Sequence, residues 1–323
     1  SKVPNLIYRQ NGKITVNQPF YSENINQLTA PNYDGFPLDL YLSPEPVLPV
    51  QFSRGCYYKD CAFCALTLDH QNFRQRDPGK TVDDLVWLKE RYGAQSFFFT
   101  DECFALSPTK RLCQQMIDRQ INVKWTCELR FEKNLSRELL TQMRDAGCLK
   151  IVFGLESFNQ RVMDFMKKGI KQEWVRRIVD DCVDLGIAVH CYVIVGFPTE
   201  KEEEALETMN FVVQNTKLHE SYGFSCQPCL FDLEKEAPIM SDPSSYGIRR
   251  IMRPATEDLS LGFFYEVQEG MTPAQAEQLY QQVYEKISEV VCELPFNYSM
   301  ADGLLYIARE KSQAVQVPQP TGS

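Results

Sequence analysis

From Val47 to about residue 240 the chain repeats one unit, a short apolar strand followed by a helix with marked ends. That rhythm constrains the fold more than any other feature. The expected strands are Val47–Ser53, Gln95–Thr100, Val123–Leu129, Leu149–Leu155, Ala188–Val195 and Tyr222–Cys229. Thr81 caps a helix through Leu85, Leu88 and Tyr92 that stops at Gly93. Ser107 before Pro108 opens a second, with Leu112 and Met116 on one face. Ser136 opens a third, with Leu139, Leu140 and Met143, and Gly147 ends it. A fourth runs through Trp174, Ile178 and Cys182 to Gly186. Ser or Thr at the N-cap, Pro in the first turn and Gly just past the end are the signals of helix boundaries. Apolar strands alternating with amphipathic helices specify βαβ units and a parallel sheet covered by helices. Six units make three quarters of a TIM-like barrel. The expected fold class is therefore α/β, a partial (β/α)6 barrel, with its chemistry at the C-terminal ends of the strands.

The flanks read differently. Leu6–Gln10 and Lys13–Asn17 surround Asn11-Gly12, a pair suited to a two-residue type I′ turn. A lone hairpin is marginal in water, so it leans on the barrel or on something before residue 1. With no initiator Met, this predicts a further domain ahead of Ser1. Asp242 to Asp258 reads as loop. Thr272-Pro273-Ala274-Gln275 is a capping box that starts a helix with Ala276, Leu279, Val283, Ile287 and Val290 on one side. A second helix is expected from Ser299 to Arg309. The division is 1–46 hairpin and linker, 47–240 barrel, 241–311 helical extension and 312–323 disordered tail.

Charge narrows the partners. With 34 Lys+Arg against 43 Asp+Glu the net charge is −9, which disfavours a grip on nucleic acid. The longest strongly apolar stretch, near Ile187–Phe197, is interrupted by His190 and is too short to span a bilayer. No signal peptide is visible. The expectation is a cytoplasmic chain with neither nucleic acid nor membrane as partner. Its 12 cysteines are then more readily buried, metal-binding or catalytic than disulfide-paired.

Three of those cysteines fall within nine residues, in Arg54-Gly55-Cys56-Tyr57-Tyr58-Lys59-Asp60-Cys61-Ala62-Phe63-Cys64, just past the first strand. They can turn inward on one loop. A four-iron cluster needs four ligands, so three thiolates leave one iron open to a small chelating molecule. The alternative is a structural zinc site completed by His70. The position argues for the cluster, because an active-site loop belongs after a barrel strand.

Further segments carry the same pattern. Phe97-Phe98-Phe99-Thr100-Asp101-Glu102 ends the second strand. In Trp125-Thr126-Cys127-Glu128-Leu129-Arg130, alternation puts Thr126, Glu128 and Arg130 on one face. Then come Ala146-Gly147-Cys148, Phe153-Gly154-Leu155-Glu156-Ser157, Met166-Lys167-Lys168-Gly169 and Val195-Gly196-Phe197-Pro198-Thr199-Glu200. Over about residues 47–230 the chain resembles the radical S-adenosylmethionine (SAM) enzymes, and among them the cobalamin-dependent branch. It departs in having four residues between the first two cysteines where the family has three.

The resemblance implies a [4Fe-4S] cluster on Cys56, Cys61 and Cys64, with SAM on the open iron. It implies Phe63, Asp101, Glu102, Arg130, Glu156, Ser157, Ile194 and Gly196 at SAM. Asp101 and Glu102 match the segment that meets the methionyl amino group, or else are solvated loop carboxylates. Arg130 holds the SAM carboxylate, or else pairs internally with Glu128. Glu156 and Ser157 match residues at the ribose or amino-acid part, and backbone near Ile194 and Gly196 faces the adenine. Phe158 stands where the family has Gly, narrowing the site or shifting its backbone. Thr199 and Lys201 replace Gly and Thr in the next turn. Cys148 is read as buried packing, and so is the Cys226–Cys229 pair, with a redox pair, a metal half-site or a radical quencher as alternatives. His190 and His219 are read as satisfied structural histidines. The implied function is reductive cleavage of SAM and hydrogen abstraction from an unactivated carbon, in a cobalamin-dependent methylation with the cobalamin on a preceding domain. A cobalamin-free rearrangement, cyclisation or epimerisation is the alternative within the class, and a non-catalytic metal-binding module the alternative outside it. The implied partners are a small-molecule or peptide substrate and a flavodoxin- or ferredoxin-type electron donor.

Overall fold

The computed structural model describes residues 3–18, 24–41, 43, 45–66, 73–218, 223–253 and 262–290. The chain opens with a hairpin of β1 (Ile7–Gln10) and β2 (Lys13–Val16), in which Gln10 pairs with Lys13. Asn11 and Gly12 have φ of 50° and 79°, both positive as the type I′ turn requires. β3 (Val47–Val50) enters the barrel. The expected strand to Ser53 is broken after Val50: β4 (Ser53–Arg54) leaves the sheet and pairs antiparallel with β5 (Arg74–Gln75). The cysteine motif lies between them.

The sheet continues with β6 (Ser96–Phe99), β7 (Lys124–Leu129), β8 (Cys148–Glu156), β9 (Ala188–Val195) and β10 (Phe224–Leu230). Its order is β3-β6-β7-β8-β9-β10, with every pair parallel. This is the expected six-stranded partial barrel. The helices outside it are α1 (Pro78–Tyr92), α2 (Leu106–Asp118), α3 (Arg137–Asp145), α4 (Gln160–Phe165), α5 (Gln172–Asp184) and α6 (Glu202–Leu218).

Some helix ends differ from the sequence reading. α1 is capped by Asp77, which accepts from Lys80 N at 3.2 Å, and Pro78 sits in its first turn. Asp-Pro is the earlier and stronger start signal, and Thr81 falls inside the helix. α2 begins at Leu106, one residue before Ser107, with no side-chain cap. Ser136 caps α3 as expected. α4 was not expected at all: at six residues it is too short to show a period. Gly147 is required where it stands. Its φ is +95°, and a Cβ there would lie 1.9 Å from Val123 O.

Beyond the barrel the loop expected over Asp242–Asp258 is partly structured. A 3-10 turn, Pro243–Tyr246, leads into a strand. With β11 (Leu233–Glu234), β12 (Ile248–Met252) and β13 (Gly262–Val267) the chain forms a small antiparallel sheet in the order β11-β13-β12. The extension is thus not purely helical. α7 (Pro273–Val290) follows, and its capping box is made: Thr272 N donates to Gln275 Oε1 at 2.9 Å, and Gln275 N to Thr272 Oγ1 at 3.3 Å. The expected helix Ser299–Arg309 and the tail from Ser312 lie outside the described residues. Among the described residues no helix is long and apolar enough to cross a membrane.

Alternation along the strands sorts the side chains. Phe97, Phe99, Trp125, Cys127, Ile151, Phe153, Val189 and Cys191 point outward into one large core under the helices. The other face lines the barrel lumen. A second core joins Ala62 of the cysteine loop to Val162, Met166, Ile194, Phe197, Ile239, Tyr246 and Ile248. The small sheet therefore packs on the loop that carries the motif.

Candidate functional site

The cysteine loop starts from a fixed root. The Asp101 carboxylate, just past β6, accepts from Phe52 N at 3.0 Å and from Ser53 Oγ at 2.6 Å, and also meets Ser53 N. It is 1% exposed, and burial raises its carboxyl to about 7. Glu102 Oε2 accepts from Gly55 N at 2.9 Å. These are the two carboxylates expected at a cofactor ammonium. In the structure both turn back to hold the loop's own backbone.

Past the root, Cys56 lies against Cys103, a residue the sequence reading passed over. The Cys103 thiol beside it lowers the Cys56 thiol to about 5. Cys61 is buried, with Arg130 Nη1 at 3.9 Å from its sulfur. Ala62 is clamped from both sides: its N donates to Met166 O at 2.9 Å and its O accepts from Ile239 N at 2.8 Å. Cys64 N donates to Cys61 O at 3.3 Å.

Arg130 makes several contacts on this side of the site. Its guanidinium lies 3.4 Å from the centre of the Tyr58 ring, and Nη2 donates to Lys168 O at 2.6 Å. Nε is 3.5 Å from Glu132 Oε1. Among the described residues its ion pair is with Glu132 and not with Glu128. Glu128 instead faces the lumen, accepts from the Tyr192 hydroxyl at 3.4 Å, and is raised to about 7 by burial.

At the end of β8, Glu156 has φ +63° and meets Lys168 Nζ at 2.8 Å. Both are buried. Gly154 makes room for the pair, since a Cβ there would fall 2.6 Å from Glu156 Oε1 and 2.8 Å from Lys168 Nζ. Lys168 Nζ also lies 5.5 Å from the Phe63 ring centre, and its charge acts on Cys61. Lys168 is a buried side chain of the candidate site that the sequence reading did not single out. Its signal was present in the Lys167-Lys168-Gly169 run.

Ser157 follows Glu156 in the chain. It is fully buried and turned to α6, where its Oγ meets Thr208 Oγ1 at 3.1 Å and accepts from Asn159 N at 3.2 Å. Phe158 stacks on Phe211 of α6 with ring centres 3.9 Å apart, so it does not narrow the lumen. Ile194 is buried beside Ala62 and Phe197. Gly196 spends both backbone groups internally, its N on Glu200 Oε2 at 2.7 Å and its O on the Tyr265 hydroxyl at 3.4 Å. In the same turn Thr199, with φ +70°, is held by Arg161 Nη2 on its carbonyl at 2.9 Å.

Cys148 is buried in the large core. Cys226 and Cys229 sit three residues apart on β10 and so point to opposite faces: Cys226 is buried, and Cys229 is exposed with its thiol on Val193 O at 3.3 Å. They do not form a pair. His190 is only half satisfied, with Nδ1 on Ser225 Oγ at 2.9 Å and a buried Nε2 without a partner. His70 and His219 lie outside the described residues.

The donor set fits an iron–sulfur cluster. Three thiols project from one loop into a region carrying two cationic side chains, which favours thiolates and an anionic cluster. Among the described residues no three His, Cys, Asp or Glu side chains converge on a point that would hold a single ion. Thiolates that each take a different iron need no such point.

A parallel partial barrel with a three-cysteine loop at the C-terminal edge of its first strand defines a class. The sequence model of the Radical SAM superfamily matches residues 50–212, just over half of the chain, and the chain belongs to that superfamily. It is a radical SAM enzyme, and members of its family use a [4Fe-4S] cluster and SAM. It is 28% identical over 211 residues to an uncharacterized methyltransferase of Pyrococcus horikoshii, covering 64% of this chain and 46% of the relative. It is 31% identical over 160 residues to the anaerobic magnesium-protoporphyrin IX monomethyl ester cyclase of Rubrivivax gelatinosus, covering 49% of this chain and 29% of the relative. The fold is that of the cobalamin-dependent SAM radical enzyme OxsB, solved with aqua-cobalamin and SAM bound. The TM-score is 0.65 at 14% identity, over 97% of this chain and 51% of OxsB. The chain thus spans about half or less of the length of these three proteins.

Proposed function

We propose that this chain is the cluster- and SAM-binding part of a cobalamin-dependent radical SAM methyltransferase, with the cobalamin carried on another domain. The observation that carries the reading is the constellation at the top of the barrel: Cys56, Cys61 and Cys64 on one anchored loop, beside Arg130 and the Glu156–Lys168 pair. The methyltransferase and cobalamin parts rest on likeness to the Pyrococcus protein and to OxsB. When bound, the cluster would supply the one electron for reductive cleavage of SAM, the chemistry that leads to hydrogen abstraction from an unactivated substrate carbon.

The chain's own residues do the rest. Cys56, Cys61 and Cys64 would each hold one iron. Arg130 and Lys168 offset the negative charge gathered at Cys61. Glu156, its charge balanced by Lys168, would accept hydrogen bonds from vicinal hydroxyls or an ammonium at the lumen edge. Phe63 and Ile194 would wall the same space with apolar surface. Asp101, Glu102, Ser157 and Gly196 act behind them, holding the loops that carry these groups. The lumen excludes bulk water and fixes the substrate, a small molecule or a peptide, against the reacting centre. A flavodoxin- or ferredoxin-type protein would supply the electron.

The test begins with anaerobic reconstitution. The protein should hold about four iron and four sulfide per chain, lose them when Cys56, Cys61 and Cys64 are all changed to Ala, and keep them in Cys148→Ala. It should form 5′-deoxyadenosine from SAM under a strong reductant. Incubating the full-length protein with methyl-labelled SAM, cobalamin and host extract should then label a product. Stoichiometric zinc without sulfide would overturn the reading, and a full-length protein that binds no cobalamin would remove its methyltransferase part.

A further inference from the structure

The floor of the lumen holds a cation without a counter-charge among the described residues. On β8, Ile151, Phe153 and Leu155 pack in the helix-side core, and alternation turns Lys150, Val152, Gly154 and Glu156 to the lumen. Lys150 is 8% exposed, and no carboxylate among the described residues pairs with it. At its level β7 presents Thr126, whose Oγ1 is buried without a partner. Ser96 Oγ, at the start of β6 and also on the lumen face, is orphaned in the same way. One layer up on β9, the Lys150 charge acts on His190, whose Nε2 is the third orphan. When the Ser225 hydroxyl donates to His190 Nδ1, Nε2 carries the hydrogen and points a donor into the same space.

Burying an ammonium is costly unless an anion meets it, and a buried hydroxyl or imidazole nitrogen normally has a partner. Here a cation and three orphaned polar atoms, contributed by four neighbouring strands, share one face. We propose that this floor is a substrate subsite for an anionic group, a carboxylate or a phosphate, held by Lys150 with Thr126 and His190. The proposal rests on the radical SAM reading only in taking the lumen as the place where the reacting carbon lies. Lys150 is six residues below Glu156 on β8, roughly 20 Å along the strand. The substrate is therefore elongated, with its anion at the floor and its reacting carbon near the top. Glu128 and Tyr192 stand between them.

The test uses cluster-free protein, so it stands whether or not the cluster assignment does. Thermal denaturation is followed in acetate or inorganic phosphate at constant ionic strength, with chloride as the reference anion. One or both anions should raise the midpoint of the wild type beyond chloride, and which one does so distinguishes carboxylate from phosphate. Lys150→Met should weaken the apparent affinity for that anion at least tenfold, the loss of one charge-assisted contact. Lys150→Arg should retain it. After reconstitution, Lys150→Met should still hold the cluster and form 5′-deoxyadenosine. Equal anion responses in wild type and Lys150→Met, or none beyond chloride in the wild type, would overturn the subsite and leave the cluster reading untouched.

Discussion

Replacing Asp101 by Ala separates two roles that one carboxylate in this segment can play. In the structure it accepts from the backbone of Phe52 and Ser53, both fully buried. Removing it strands two buried N–H groups, each costing about 1–3 kcal/mol, so the folded state should lose about 2–6 kcal/mol. The entropy of unfolding is about 2.1 cal/mol/K per residue, or about 0.7 kcal/mol/K for 323 residues. The midpoint should therefore drop by about 3–9 °C. Asp101→Asn keeps one acceptor oxygen and should lose about half as much. Calorimetry on cluster-free protein measures this with no cofactor present. A midpoint within about 1 °C of wild type, together with a tenfold weaker SAM affinity after reconstitution, would refute the anchoring argument and put Asp101 at the cofactor.

Two further expectations concern the frame around the site. Glu200 is 1% exposed and burial raises its carboxyl to about 8. The folded state then keeps a proton that the unfolded chain releases near pH 4.5, so stability falls as pH rises between those values, by at most roughly 1.4 kcal/mol per unit. Glu200→Gln should gain on wild type steadily from pH 5 to pH 8 in urea titrations, and a constant gap would show an ordinary carboxylate. Gly147→Ala places a methyl group 1.9 Å from Val123 O at a φ of +95°. It should cost about 3 kcal/mol or more, and an unchanged unfolding midpoint would mean that β7 shifts freely.

The barrel was legible because its strands are covered on both faces and read as apolar runs. Ala188–Val195 matches its expected bounds to the residue. Helix starts were harder where two capping types compete, as Asp77 and Thr81 do four residues apart. β12 escaped because Arg249 and Arg250 stand in its middle and its apolar contacts come from the distant β13 and the cysteine loop. At the site, sequence identified the segments better than the direction of each side chain. Asp101 and Glu102 carry the same carboxylates whether they face a ligand or the Phe52–Gly55 backbone, and only the tertiary donors decide between them. Lys168 reaches Glu156 through the turn that follows α4, which no periodic pattern announces.

The clamp on Ala62 also orders events in time. One of its hydrogen bonds runs to Met166 and the other to Ile239, which lies past the last barrel strand. Contacts that close so long a stretch of chain form late, after the local ones have repaid the entropy of loop closure. On the ribosome the cysteine loop cannot take its final shape until the residues around Ile239 have emerged and the small sheet has begun to assemble. A metal loaded earlier would meet a loop without its second wall, so maturation of this centre belongs after translation of the barrel.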